Sequence, residues 1–265
     1  MPKRAFRIAY DGRPYAGFQR QPDRPTVEDA VFDALRDLDI ASPPPGYAAA
    51  GRTDAGVSAL AQTVAFEAPD WLSPAALNGT LPATVRAWAS ADVAADFHAT
   101  HDASRRRYRY HLYAPTLDDD RAGEALDRLT GEHDFHNLTT DDTGTVRRLD
   151  ASGKRDGDFL VLTLTAGGFT RHMVRRVASL VRAVGAGESD PERVGRVLGP
   201  EPLDGPEGVA TAPATPLVLT DVTYPGVTFV SDPDAVESAR GVFGERRIEA
   251  LTVARVVDSL CDGIE

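Results

Sequence analysis

The sequence predicts an α+β protein of two domains, each an antiparallel or mixed β-sheet backed by helices, with an active-site cleft between them. Several stretches alternate apolar and polar residues, as strands with one buried face do. The helical stretches between them are isolated, which argues against the repeated βαβ units of a parallel sheet. The 265 residues, 42% of them hydrophobic, suit one large domain or two smaller ones. We place the domains at residues 1–103, with the loop that carries Asp54, and 104–265, with a helical tail.

The first half predicts strands and helices in turn. Residues 4–10 alternate and should form a strand. Thr26 is the expected N-cap of a helix, whose apolar face comprises Val27, Ala30, Val31, Ala34, Leu35 and Leu38. Further strands are expected at residues 47–50, 62–67 and 85–94, and a short helix near Ser73 and Pro74.

The second half follows the same plan without a detectable sequence repeat. Strands are expected at residues 106–113, 146–152, 159–165 and 217–224. Helices are expected at residues 122–129, 169–184 and after Pro191, and the tail beyond Pro225 shows two weaker helical patterns.

Composition narrows the class of protein. The chain has 40 acidic and 29 basic residues, a net charge of -11, and lysine only at Lys3 and Lys154. This excess of acid resembles proteins that work in concentrated salt, and we predict a halophilic source. Cys261 is the only cysteine, which excludes an intrachain disulfide and favours the reducing cytoplasm. The start has no apolar signal core and no apolar run approaches the ~20 residues of a membrane span, so we expect no membrane partner.

A sharp loop presents one carboxylate just before a strand. Residues 51–56 read Gly-Arg-Thr-Asp-Ala-Gly, and the glycines permit backbone conformations that other residues avoid. Asp54 therefore sits on a tight turn. An isolated aspartate in such a loop is most often an Asx turn that ties down neighbouring N–H groups, and a functional role needs further support.

An arginine-rich strand provides some of that support. Residues 105–113 would place Tyr108 and Tyr110 on one face of a strand and Arg107 and Arg109 on the other. An aromatic ring flanked by guanidinium groups suits a base stacked beside a phosphate backbone. A solvated basic strand with a core tyrosine is an equally good interpretation of this stretch alone.

A second arginine-rich stretch falls on the long helix expected from residue 169. Arg171 and Arg175 are spaced i, i+4, so on a helix they would share a face. A carboxylate in a dry cleft needs a cationic partner to stay ionised. The helix therefore offers candidate partners for Asp54.

Taken in order, these motifs resemble the TruA family of tRNA pseudouridine synthases over nearly the whole chain up to about Pro225. The matching stretches are YDGRPYAGFQRQP, AGRTDAGV, DFHATHDASRRRYRY, GEHDF, GGFTRHMVRR and APATPLVLTDVTYP. The chain departs from the family pattern at Pro216, where glycine is common, and at Ser58, where histidine is frequent.

The resemblance implies roles for individual residues. Asp54 matches the catalytic nucleophile, Arg175 its ion-pair partner, Tyr108 the tyrosine that packs against the target base, and Arg52 the arginine that helps displace the target nucleotide. The implied enzyme is an isomerase with the pseudouridine synthase fold that converts uridine to pseudouridine in the anticodon stem-loop of tRNA. The implied partners are tRNA and a second copy of the chain in a homodimer. The reaction involves no net oxidation or hydrolysis, so neither a cofactor nor a metal is expected.

We also predict a basic cleft on the acidic body. Its members are the arginines of the three motifs, namely Arg52, Arg105, Arg107, Arg109, Arg171 and Arg175.

Three rival functions compete with this one. A metal hydrolase could use the pair His98 and His101 or the pair His133 and His136, but neither pair has an evident third ligand. A glycosidase needs a second carboxylate, which the Asp54 loop lacks. A non-catalytic module that binds or folds tRNA is the remaining alternative, and an acid that faces phosphates argues against it.

Overall fold

The computed structural model describes residues 1–203 and 205–264, and the strands of this part form one mixed sheet. Ten strands take the order β10-β4-β1-β3-β9-β5-β8-β7-β6, with β2 paired to β3 outside this path. The strands are β1 (Lys3–Tyr10), β2 (Ala48–Ala49), β3 (Ser58–Glu67), β4 (Val85–Asp92), β5 (Arg105–Tyr113), β6 (Gly131–Asp134), β7 (Val146–Asp156), β8 (Phe159–Ala166), β9 (Leu217–Thr223) and β10 (Val230–Ser231).

Helices pack against this sheet. They are α1 (Val27–Asp37), α2 (Pro74–Asn78), α3 (Asp119–Leu129), α4 (Met173–Gly185), α5 (Glu192–Val197) and α6 (Pro233–Asp262), with short 3-10 turns at His136–Leu138 and Gly205–Glu207. Among the described residues, no helix combines the length and the apolar character that a membrane crossing requires. The α+β class predicted from the sequence is confirmed.

A single parallel pairing joins the two halves of the described sheet. The start of β3 runs parallel to β9, with Ser58 opposite Val218 and Ala59 opposite Leu219. The other neighbours along the path pair in antiparallel fashion. Since β3 begins just after the loop of Asp54, this loop lies at the seam between the halves.

The apolar core forms two clusters on either side of this seam. One gathers α1 and α2 on β1, β3 and β4, with Phe6, Phe66 and Leu35 buried at its centre. The other gathers α3 and α4 on β5 and β8, with Leu162 and Val177 among its buried members. Strand β9 contributes to both clusters. The boundary at residue 103 stays a prediction, because the sheet itself is continuous.

Helix α1 begins where the sequence predicts, directly after the N-cap Thr26. The Thr26 hydroxyl accepts a hydrogen bond from the Asp29 N–H, and the Asp29 carboxylate accepts one from the Thr26 N–H, which completes a capping box. The predicted face is largely buried, and Phe32, which was not assigned to it, is buried as well.

Helix α4 begins four residues later than predicted. Its N-cap is His172, whose φ of +63° lies in the left-handed region and stops the helix from extending upstream. Arg171 therefore precedes the helix, and the prediction that Arg171 and Arg175 share a helical face is wrong. The alternating apolar pattern could not reveal this backbone reversal.

The tail and one edge strand also differ from the prediction. The two helical patterns beyond Pro225 belong to one helix of 30 residues, α6, which begins after the N-cap Asp232. Strand β6 was missed because its sequence, Gly-Glu-His-Asp, has no apolar alternation. It is held by backbone pairing with β7 at the sheet edge.

Candidate active site

A cavity of about 630 Å³ opens at the seam of the sheet. The loop between Gly51 and Val57, the strand β5 and the start of α4 all contribute to its lining. Five of the eight candidate residues named from the sequence line it, namely Arg52, Asp54, Tyr108, Arg171 and Arg175. Residues as far apart in the sequence as Arg52 and Arg175 thus meet at the seam where β3 and β9 pair.

The residues that follow β1 hold the loop of Asp54 in place through backbone hydrogen bonds. The Thr53 carbonyl accepts a hydrogen bond from the Phe18 N–H at 3.1 Å, and the Gly56 N–H donates to the Tyr15 carbonyl at 3.2 Å. Gly56 has a φ of +81°, and a Cβ on Gly17 would lie 2.8 Å from the Thr53 carbonyl oxygen. Both glycines are therefore required for the two loops to fit together.

The same support continues at the end of β1. A Cβ on Gly12 would lie 1.9 Å from the Val57 carbonyl oxygen, so only glycine allows this approach. The Gly12 N–H donates to the Ser58 hydroxyl at 3.0 Å, which gives a structural use to a serine that departs from the family pattern. The hydroxyls of Tyr10 and Thr53 are hydrogen-bonded at 2.8 Å. These contacts at the end of β1 fix the position of the Asp54 loop.

Asp54 and Arg175 form the central ion pair of the cavity. The Arg175 Nη1 donates to the Asp54 Oδ2 at 2.9 Å. The other side of the guanidinium is held as well, since Nε donates to the Ala212 carbonyl at 2.7 Å. The Arg175 side chain is 17% exposed and that of Asp54 is 32% exposed. The carboxylate is thus oriented by a largely buried cation while one part of it still reaches the cavity.

His172 is a second neighbour of the carboxylate, and sequence reasoning did not find it. Its Nε2 lies 3.7 Å from the Asp54 Oδ2, and its side chain is 31% exposed in the cavity. A non-glycine residue in the left-handed region is strained by roughly 1–2 kcal/mol, and the imidazole makes no capping bond to α4 in return. The one available signal was its place between Arg171 and Met173 in the matching motif.

Tyr108 forms an aromatic wall of the cavity. Its ring packs edge-to-face on Phe169, with 5.1 Å between the ring centres and 89° between the planes. Burial raises the pKa of Tyr108 to about 12, against an opposing effect of the Arg106 charge, so the phenol is protonated at neutral pH. Tyr110, two residues along the strand, is buried in the second core cluster. The cavity therefore offers a flat, uncharged ring beside the carboxylate.

The arginines divide into two groups. Arg52 and Arg171 are exposed at the cavity and form no ion pair with any described residue. Arg105, Arg107 and Arg109 do not line the cavity. Arg107 and Arg109 are in register with Asp221 and Val218 of β9, on the face of the sheet opposite Tyr108. The predicted basic cleft thus keeps three of its six arginines, because strand alternation sends the others to the far side.

Arg106 is an arginine of β5 that supports loops next to the cavity. Its guanidinium donates to the carbonyls of Ala50 at 2.8 Å, Thr100 at 2.7 Å and Gly167 at 2.6 Å. It therefore ties together three loops, including the one that leads to Asp54. Since Arg106 is two residues from Tyr108, it lies on the same face of β5 as that tyrosine.

The histidine pairs considered for a metal have other surroundings. The rings of His98 and His101 pack together at 4.2 Å, and His133 lies edge-on to Phe135. Within residues 1–203 and 205–264, no group of three or more histidine, cysteine, aspartate or glutamate side chains is arranged to hold a metal ion.

Comparison with known proteins places the chain among RNA-modifying enzymes. The sequence profile described as tRNA pseudouridine synthase matches residues 125–225. A protein named tRNA pseudouridine synthase A from Haloarcula marismortui is 57% identical over 98% of this chain and 100% of its own length. Proteins with the same name are 59% identical in Natronomonas pharaonis, over 97% of this chain and 98% of the relative, and 34% identical in Methanosarcina mazei, over 97% of both.

Two further points follow from the comparisons. The similarity to relatives from salt-loving archaea supports the halophilic source predicted from the acidic composition. A solved chain of the archaeal box H/ACA sRNP Nop10-Cbf5 complex aligns over 68% of this chain and 44% of its own length. Its identity of 14% and TM-score of 0.35 are too low to add to the argument. On the full-length sequence similarity, the chain belongs to the tRNA pseudouridine synthase family.

Proposed function

We propose that the protein is a tRNA pseudouridine synthase, an isomerase that converts uridine to pseudouridine in the anticodon stem-loop of tRNA. The observation that carries the proposal is the pair of Asp54 and Arg175, held at 2.9 Å inside a cavity that Tyr108 also lines. Family membership supports the substrate class. The cavity supports the chemistry, because it presents one oriented carboxylate next to a surface on which a base can stack.

The reaction breaks the bond between N1 and C1′, turns the uracil and forms a bond between C5 and C1′. The C5 proton is lost and N1 ends with a proton, so the atoms balance without an oxidant or a water molecule. The Asp54 carboxylate can attack C1′, or it can begin by taking a proton from C2′. Both routes use the Asp54 carboxylate as the reacting group, and the Arg175 guanidinium orients it through a charge-assisted hydrogen bond.

Binding must bring the uridine out of its stack before this chemistry begins. Flipping a base costs a few kcal/mol, and stacking on an aromatic ring returns roughly 1–3 kcal/mol. We assign the stacking surface to Tyr108 and contacts to the RNA backbone to Arg52 and Arg171, which are exposed at the cavity. Arg105, Arg107 and Arg109 receive no role at the target base, since they do not line the cavity.

The cellular setting completes the proposal. We place the enzyme in the cytoplasm, where tRNA is modified, and as a homodimer that binds one tRNA across two subunits. The single cysteine and the acidic composition agree with a reducing, salty interior. In such salt the release of counterions contributes little to RNA affinity, so shape, stacking and arginine hydrogen bonds must carry recognition.

Site-resolved mapping of pseudouridine tests the reaction. Unmodified tRNA is incubated with the protein in high salt, treated with carbodiimide and read by primer extension. We expect new stops in the anticodon arm with the wild type and with Asp127→Ala, a control on the exposed face of α3. Asp54→Ala should give none. If folded wild-type protein binds tRNA but produces no stops on any tRNA, the result supports the non-catalytic alternative and the proposal fails.

A further inference from the structure

The second half of α6 carries large apolar side chains that the rest of the described chain leaves uncovered. The side chains of Ile248, Leu251, Val253, Val256, Val257, Leu260 and Ile264 belong to residues that are 49% to 79% exposed. The first half of the same helix buries Ala235 and Ala239 and packs against β4 and α2. A single surface-exposed leucine needs no explanation, but a contiguous apolar helix face marks an interaction site.

Four of these exposed residues continue the buried stripe of the helix, namely Val253, Val257, Leu260 and Ile264. From Ala235 onward the stripe advances by three or four residues at each step, through Ala235, Ala239, Val242, Arg246, Ala250, Val253, Val257 and Leu260, and Ile264 continues the spacing two residues beyond the end of the helix. This spacing keeps one face of a helix against a partner helix along its length. The stripe is interrupted at Arg246 and becomes apolar again from Ala250 as the helix leaves the body of the protein.

We propose that the outer part of this face, the α6 stripe of Ala250, Val253, Val257, Leu260 and Ile264, pairs with the α6 stripe of a second copy of the chain. The proposal rests on the proposed homodimer only in expecting a second copy, and it locates a contact between the copies. Arg246 holds the helix to the body, because its Nη1 donates to the Asp11 carboxylate at 3.1 Å. The pairing would thus link the loops beneath the two active sites.

Charge favours a second copy as the occupant. Two chains of net charge -11 repel each other, and they can approach best where charge is balanced. The outer half of α6 has four acids and three bases, namely Glu245, Glu249, Asp258, Asp262, Arg246, Arg247 and Arg255. A helix that lies on an anionic membrane has a polar face rich in lysine and arginine, which this one lacks.

The exposed apolar area of the α6 stripe is large enough to form part of a dimer interface. Fully burying one large aliphatic side chain removes roughly 60–120 Å² from water. The four large apolar side chains of the α6 stripe, Val253, Val257, Leu260 and Ile264, are each about half to four-fifths exposed and leave on the order of 150–300 Å² of apolar surface. A standard interface buries ~800 Å² per partner, of which ~65% is apolar in homodimers. The α6 stripe can therefore supply roughly a third to a half of the apolar part of one such interface.

Sedimentation velocity of the full chain in molar salt tests this pairing. We expect the wild type to sediment as a dimer at micromolar concentration and the double variant Val257→Lys with Leu260→Lys as a monomer. The control Ile248→Lys changes an equally exposed residue about half a helical turn away from the stripe, and it should stay dimeric. Circular dichroism checks that all three proteins are folded.

The single cysteine allows a second measurement that needs no destabilising change. Cys261 is exposed and directly follows Leu260. A short bismaleimide should therefore link two wild-type chains through Cys261. A double variant that keeps the dimer mass, or a wild-type dimer that does not cross-link, overturns the α6 contact and leaves the homodimer itself standing. A monomeric wild type overturns both, while the mapping of pseudouridine reports on the synthase activity separately.

A second inference comes from the geometry around His172 and is independent of α6. The imidazole Nε2 lies 3.7 Å from the Asp54 Oδ2 in the cavity, on a residue with strained backbone whose side chain makes no capping hydrogen bond to α4. We propose that His172 touches the uracil and carries the proton from C5 to N1 in the last step of the reaction. The electron pair of the C5–H bond becomes the C5–C6 double bond, and the pair between C6 and N1 takes up the proton.

The other groups at the cavity are less suited to this step. The Asp141 carboxylate accepts the Arg171 N–H at 2.8 Å, and the Glu28 carboxylate accepts the Arg20 N–H at 2.9 Å. Tyr108, with its raised pKa of about 12, holds its proton at neutral pH. The charged groups that face His172 are Asp54 on its loop, Arg175 on α4 and, at the rim, Arg52, Arg171 and Asp141. A histidine ordinarily exchanges its proton near neutral pH, which suits a proton carrier.

The variant His172→Gly separates a chemical role from a structural one. Glycine accepts the left-handed backbone, so the variant should fold at least as well as the wild type and bind tRNA with unchanged affinity. We expect single-turnover pseudouridine formation to slow by about 100-fold or more, as loss of general acid–base catalysis does. Added imidazole should restore part of the rate, which a merely structural role would not explain.

His172→Asn serves as a second variant, since asparagine tolerates the same backbone but transfers no proton. This inference rests on the proposed function, and the two fail differently. A wild type without activity removes both. An active wild type with an equally fast His172→Gly, or a slow variant that imidazole does not rescue, overturns the role of His172 alone.

Discussion

Replacing Arg175 by methionine tests how much the ion pair contributes to the chemistry. The methionine keeps much of the buried stem of the arginine and removes the guanidinium that donates to Asp54 at 2.9 Å. A hydrogen bond to a charged group contributes about 1.5–3 kcal/mol. Since Asp54 is 32% exposed, solvent screens part of this interaction, and the lower half of the range applies.

A loss of about 1.5–2 kcal/mol corresponds to a rate about 10 to 30 times lower, because each 1.4 kcal/mol is a factor of ten. The assay is single-turnover conversion of an anticodon stem-loop by saturating enzyme, so that binding does not limit the rate. Arg176→Met is the matched control. Arg176 is the next residue of α4, and its guanidinium donates to the Thr139 carbonyl at 3.0 Å instead of to Asp54.

We expect Arg176→Met to lose stability while its rate per folded molecule stays near that of the wild type. Arg175→Lys, which keeps a charge but not the two-sided hydrogen bonding, should fall between methionine and the wild type. If Arg175→Met turns over within twofold of the wild type, the guanidinium does not support the reacting carboxylate and the reasoning is refuted.

Three further changes probe the surroundings of the ion pair. Tyr108→Phe should bind and react within a few fold of the wild type, because the phenol is protonated at neutral pH. Tyr108→Ala should weaken stem-loop binding about 5- to 100-fold, as loss of one stacked base contact does. Equal binding by both variants would contradict stacking. Arg106→Ala should lower the melting temperature and the rate together, since three carbonyls lose their donor, and an unchanged melting temperature would show that the loops do not depend on it. Burial alone raises the pKa of Asp11, but hydrogen bonds from Arg13 and the charges of Arg13 and Arg246 lower it overall. The contribution of Asp11 to stability is therefore present above the unfolded pKa of about 3.9 and is lost as pH falls through the folded value. Denaturant unfolding of wild type and Asp11→Asn should therefore differ at pH 7 and converge in acid, and a difference that grows in acid would reverse the assignment.

Features that depend on neighbouring residues in the chain were predictable from the sequence. The glycines around Asp54 indicate a tight loop, and Thr26 with Asp29 indicates the start of α1, because both signals are local backbone requirements. The motif resemblance supplied the partner of Asp54, and the structure brings Arg175 to it. No periodic pattern could have paired two residues that are 121 positions apart.

Other features depend on tertiary structure or on single backbone angles. The choice between Arg106 and its neighbours is decided by which face of β5 meets the cavity, and all of these residues are arginine. His172 was missed because a left-handed backbone at one residue leaves no periodic trace. The continuity of α6 was missed because its buried half and its exposed half have different compositions, although one stripe runs through both.

The most direct test of the central claim is a time course with Asp54→Asn, which keeps the shape of the side chain and removes its charge. Pseudouridine formation in an anticodon stem-loop and the Kd for that stem-loop are measured in the same high-salt buffer. We predict that the variant binds with a Kd close to that of the wild type and forms no detectable pseudouridine. Conversion by Asp54→Asn at the wild-type rate would contradict the assignment of Asp54 as the reacting carboxylate.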